Sequence, residues 1–79
     1  MTWNYRVVRY ENDDGEEWFS IREAYYASPE SPYPEMLTAE DMAPSAETLE
    51  GLRTNLEQME AALKQPPLDA HTRLPWSRR

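Results

Sequence analysis

The nine residues WFSIREAYY, Trp18 to Tyr26, admit two readings, and the choice between them decides the fold. Wound as a helix, Trp18, Ile21 and Tyr25 fall at offsets 0, 3 and 7 and share a face. Extended, Phe19, Ile21 and Tyr25 share one face, while Trp18, Ser20, Arg22, Ala24 and Tyr26 share the other. The flanking residues decide. Upstream, YRVVRY from Tyr5 to Tyr10 is β-branched and aromatic throughout, which favours a strand. Between the two runs lies ENDDGEE, five acids in seven residues around Asp14-Gly15. Glycine takes positive φ cheaply and aspartate tolerates it, so Asp-Gly between strand-like runs signals a hairpin. WFSIREAYY stops at Ser28-Pro29 and is too short for a typical core helix, so it reads as the returning strand. Its expected core face is Phe19, Ile21 and Tyr25, with Glu23 as the misfit.

Further on, ASPESPYPE at residues 27–35 holds three prolines and two serines and reads as a loop. Met36 to Ala39 fits a short third strand, an edge because prolines border it. Then TLEGLRTNLEQMEAALK sets Leu49, Leu52, Leu56, Met59 and Leu63 at steps of 3, 4, 3 and 4, one apolar stripe of an α-helix. Thr48 is the expected N-cap with Ser45 its rival, Glu50 complements the positive helix end, and Lys64 falls in the last turn. Pro66-Pro67 ends the helix. Gly51 inside it costs about 1 kcal/mol against alanine, which close approach of another backbone would justify.

These elements assemble into an α+β fold: an antiparallel hairpin, a short third strand and one amphipathic helix on one sheet face, ββ(β)α. Residues 1–65 form the domain, and residues 66–79 read as a proline-led, basic, flexible tail carrying Trp76, Arg78 and Arg79. One helix covers one face, so Trp18 and Tyr26 are expected on an uncovered side, and dimerisation through that face or its edge completes the two layers.

The run WNYRVV from Trp3, a second strand ending Glu23-Ala24-Tyr25-Tyr26, and a helix followed by Pro66-Pro67-Leu68-Asp69 resemble a group of small bacterial proteins opening on WNYRVV-like residues. That likeness covers residues 2–69. More loosely, the hairpin, the short strand and a helix opening at Thr48-Leu49-Glu50-Gly51 resemble the N-terminal domain of HicB-type antitoxins, which looks like a truncated RNase H fold. The resemblance implies a partner-binding role. HicB antitoxins usually carry a C-terminal operator-binding module as well, and residues 66–79 are too few to form one.

Seventy-nine residues make one small domain, and the chain has no cysteine for a disulfide or a thiolate metal site. No run resembles a signal peptide or reaches transmembrane length, so the expectation is a cytoplasmic protein without membrane contact. The net charge of −7 is uneven: residues 1–65 hold 14 acids against five bases, and residues 66–79 hold Asp69 against Arg73, Arg78 and Arg79. Such a body repels phosphate and attracts a basic protein surface; no direct nucleic-acid contact is expected.

The acids Asp13, Asp14, Glu16 and Glu17 invite a calcium reading. Aligning Gly15 with the EF-hand glycine places Tyr10 and Ile21 where carboxylates belong, so the turn reads as a solvated tip. His71 is the lone histidine and has no fixed neighbour, no serine has a histidine nearby in sequence, and two glycines cannot build a phosphate loop. No catalytic residue, metal or cofactor is therefore expected. The partner-binding candidates are Trp18, Arg22, Tyr26 and Trp76 with the acids Asp13, Asp14, Glu16 and Glu17. They fit a small non-enzymatic adaptor or regulator with a basic protein partner, or else a phage or mobile-element inhibitor mimicking nucleic acid. A small enzyme with a carboxylate site is the third alternative.

Overall fold

The structure, a computed structural model, describes residues 2–76. β1 (Thr2–Glu11) and β2 (Glu17–Tyr26) pair antiparallel along their whole length, from Thr2 opposite Tyr26 to Glu11 opposite Glu17. The connection is held by a residue whose role the Asp-Gly signal does not reveal. Asn12 Oδ1 accepts from the backbone N–H of Asp14 at 3.0 Å and of Glu16 at 2.8 Å. Gly15 closes the turn at φ 83°, the left-handed region that glycine occupies without strain.

β3 (Met36–Leu37) pairs antiparallel with β2 at the sheet edge, as its bordering prolines predict. The chain then follows the same edge, with Thr38 N–H on Glu23 O and Met42 N–H on Ile21 O. α1 (Leu49–Ala62) starts at Thr48, whose Oγ1 accepts from Gly51 N–H at 3.0 Å. Thr48, not Ser45, is therefore the cap. Lys64 lies beyond the last helical turn, which contains no basic residue. A Cβ at Gly51 would meet the side chains of Ala46 and Thr48 at 3.1 Å each. The crowding there comes from the cap itself, not from a second backbone.

The sheet has four strands in the order β3-β2-β1-β4, antiparallel except where β4 (Leu68–Asp69) runs parallel to β1. The fold is thus α+β, a mixed four-stranded sheet with one helix. β4 corrects the expectation of a flexible tail from residue 66. Leu68 pairs with Val8 on one side and bridges Pro75 on the other, and Ala70 N–H donates to Arg9 O at 3.0 Å. Pro66-Pro67 follows the helix end and leads into β4, which pairs the open edge of β1 at Val8 and Arg9. Arg78 and Arg79 lie outside the described residues.

Opposite residues of an antiparallel ladder share a face, so the even-numbered residues of β1 and β2 lie together. That face is the deeply buried one: Val8, Ala24 and the neighbouring Leu68 are fully enclosed, and Arg6 and Tyr26 are nearly so. The expected core face is corrected accordingly. Phe19 is exposed, and Ile21 and Tyr25 are only half-buried. The odd-numbered face carries Arg9, Glu11, Glu17 and Glu23, and its residues are half-buried or exposed rather than enclosed. Glu23, the misfit in the alternation, was the informative residue. It accepts a hydrogen bond from Tyr25 Oη. On this face Trp3 meets Tyr5 edge-on at 5.2 Å, and Tyr5 Oη accepts from Asn55 Nδ2 at 2.8 Å, tying β1 to the helix.

Candidate functional site

The helical stripe is only partly consumed by the core. Met59 is buried together with Ala62, which stands outside the leucine spacing, while Leu56 and Leu63 remain exposed. The start of β2 points toward them. Trp18, Phe19, Ile21, Leu56, Met59 and Leu63 line one open groove of about 640 Å³, floored in part by Met42 and Pro44. Its position follows from the fold: Met42 is held on β2 by its bond to Ile21, and the chain must then cross from that edge to Thr48. Trp18 is 63% exposed and Leu63 67% exposed, so large apolar side chains face water around a single depression. Two carboxylates, Asp41 and Glu60, stand at its rim. Asp41 Oδ1 lies 3.6 Å from Arg22 Nε, and Arg22 Nη1 donates to Thr38 O at 3.5 Å.

The expected partner-binding residues divide. Trp18 is in the groove, and Arg22 reaches its rim through Asp41. Trp76 does not line it but packs edge-on to Phe19 at 6.2 Å, with the Arg9 guanidinium 4.6 Å above its ring. Glu17 is not a free acid, because Arg9 Nε donates to its Oε2 at 3.1 Å while Arg9 Nη2 reaches Glu11 at 2.9 Å. Asp13, Asp14 and Glu16 are exposed at the hairpin tip, away from the groove lining. Tyr26 is the correction. It is 8% exposed, its hydroxyl donates to Asn4 Oδ1 at 2.9 Å, and it belongs to the interior rather than to an open face.

Phe19, Ile21, Leu56, Met59 and Leu63 all line the groove although the sequence pattern assigns them to the core, and of these Phe19, Leu56 and Leu63 are exposed. The signal that could have found them is width. The stripe offers more apolar side chains than the single row a small sheet buries, and Phe19 shares its strand face with two glutamates.

His71 is exposed; its backbone N–H, not its ring, engages Asp69 Oδ1, at 2.8 Å. The bond from Thr72 N–H, with that from His71, holds the Asp69 carboxyl below its ordinary pKa. The hydrogen bond to Glu23 pushes the Tyr25 phenol above its ordinary pKa, since it ties down the proton. Among the described residues no three His, Asp or Glu side chains are placed to hold a metal, and no helix is long and apolar enough to cross a membrane. No family model, curated protein or solved structure matches this chain.

Proposed function

We propose that this chain is a small non-enzymatic regulator, antitoxin-like in kind, that docks a basic amphipathic segment of a partner protein in the groove between β2 and α1. The observation that carries the reading is the convergence of Trp18, Phe19, Leu56 and Leu63 on one depression while each stays exposed. Clustered large apolar side chains mark contact sites, and tryptophan is the residue type most often dominant there. The acids at the rim and the net charge of −7 select a cationic partner, and they oppose a second copy of the same charge.

The test uses a helical lysine–leucine peptide and its glutamate–leucine counterpart, titrated calorimetrically against the full chain. Only the cationic peptide is expected to bind, and Trp18→Ala should weaken it by about tenfold or more, the loss typical of a central aromatic anchor. Trp18 is exposed, so the variant should melt with the parent. Equal binding of both peptides, or an unchanged affinity in Trp18→Ala, refutes the proposal. A dimer by light scattering that Trp18→Ala dissociates would assign the groove to a second copy instead.

A further inference from the structure

Arg6 presents a separate problem. It is only 8% exposed, yet no carboxylate among the described residues pairs with it; the ion pairs are those of Arg9 and Arg22. Its Nη2 donates to Pro66 O at 2.9 Å and its Nη1 to Tyr26 Oη at 3.4 Å, both neutral partners, and its Nε has none. The ladder also sets Arg6 directly opposite Arg22, a like-charge pair that repels across the strands. Arg22 is relieved by Asp41; Arg6 is not. The buried side-chain atoms without a hydrogen-bond partner among the described residues are Arg6 Nε, Arg22 Nε and Ser20 Oγ, and all three stem from neighbouring positions on this one face. A desolvated guanidinium without a counter-charge is strongly destabilising, and buried charges in folded proteins are therefore paired.

Beside Arg6 lies a cavity of about 310 Å³ lined by Thr2, Asn4, Tyr26, Ser31 and Gln65 among others. Although the chain carries 15 acids, none of them lines this cavity. The Thr2 and Ser31 hydroxyls and the Asn4 and Gln65 side-chain amides can donate hydrogen bonds, and its size suits a small ligand. We propose that this cavity is a binding site for a small oxyanion, a phosphoryl or carboxylate group, with Arg6 as its charge partner. The Arg6 guanidinium, whose terminal nitrogens are held by Pro66 O and Tyr26 Oη, supplies the fixed positive charge that either group needs. The acidic exterior bars a polyanion but not a single small one that reaches the cavity. This site shares no lining residue with the groove and stands independently of it.

The experiment melts the full chain in inorganic phosphate, acetate or chloride at matched ionic strength. Phosphate should raise Tm saturably, by roughly 10–20 °C when it reaches a hundred times its dissociation constant. A response to phosphate alone assigns a phosphoryl ligand, and one to acetate assigns a carboxylate. Gln65→Glu places a carboxylate in the cavity; it should raise Tm without added anion and abolish the response. Arg6→Gln should lose the response too, but it also removes the Pro66 contact, so Gln65→Glu is the deciding variant. Identical melting in the three salts, or a Gln65→Glu protein that melts lower and still responds to phosphate, overturns the site.

Discussion

Leu68→Ala tests whether residues beyond Pro67 belong to the core. Leu68 is fully buried, and its strand cannot follow a shrinking side chain. Asp69 N–H is fixed on Leu74 O at 2.8 Å, Ala70 N–H on Arg9 O at 3.0 Å, and Trp76 N–H on Pro67 O at 2.8 Å. Leucine-to-alanine changes in cores cost about 2–5 kcal/mol, rising with the cavity left behind, so a site held this firmly falls near 3–4 kcal/mol. A chain of this size has roughly 4–12 kcal/mol of stability in all. At about 4–8 °C per kcal/mol the expected loss in Tm is about 12–30 °C. Urea unfolding, followed by circular dichroism at about 222 nm and by tryptophan fluorescence, should show a lower midpoint with an unchanged slope. Leu63→Ala is the matched control. The chemistry is identical, but Leu63 is exposed, so its cost should stay within about 0.5 kcal/mol. A Leu68→Ala protein losing less than about 1 kcal/mol, or no more than the control, would refute the place given to β4.

Two further outcomes follow from the caps and turns. Gly51→Ala gains about 1 kcal/mol of helix propensity but drives a Cβ against Ala46 and the capping Thr48 hydroxyl at 3.1 Å, so the net change should lie within about 0.5 kcal/mol of zero. In a Thr48→Ala background, itself about 1 kcal/mol less stable, the same change should recover most of its gain; a full gain in the parent protein would sink the argument. Asp69 is a carboxyl whose folded pKa lies below its unfolded value, chiefly through the bond from Thr72 N–H. Its contribution is therefore complete above the unfolded value and is lost as pH falls through the folded one. Asp69→Asn should flatten the decline in stability below about pH 4, and parallel acid limbs in variant and parent would contradict this.

The hairpin, the edge strand and the capped helix were legible because each rests on local chemistry: β-branched runs, Asp14-Gly15, bordering prolines, Thr48 and the leucine spacing. The buried face was not, because it depends on a long-range pairing. Leu68 closes beside Val8 sixty positions away, and no local pattern around Pro66-Pro67 announces a parallel two-residue strand. Without β4 the alternation in β2 favours Phe19 and Ile21; with it, Ala24 and Tyr26 become interior. The same shift moved Phe19 from core to groove. Trp18 is exposed although it stands on the even-numbered face with Ala24 and Tyr26, because it lies at the hairpin end of the ladder rather than beside Leu68, while the Asn12 role in the turn is hidden beside the stronger Asp-Gly signal.

The net charge of −7 understates how the fold sorts its charges. Arg6 is withdrawn into the interior, Arg9 is held by Glu11 and Glu17 beneath Trp76, and Arg22 leans on Asp41. Three cations thus serve the hairpin itself, while Asp13, Asp14, Glu16, Glu57 and Glu60 stay in solvent. The exterior is consequently more acidic than composition alone states, and the interior face of the sheet is cationic. The two proposed sites draw opposite consequences from this sorting. Docking steered by exposed acids weakens as salt rises past about 0.1 M, where the screening length falls to about 10 Å. An anion beside the desolvated Arg6 is screened far less, because few ions can enter between the charges. Raising salt should therefore release a cationic peptide while leaving the phosphate-dependent melting shift largely in place. Loss of both together would show that the two effects share one surface, and that the charges are not divided between the faces as described.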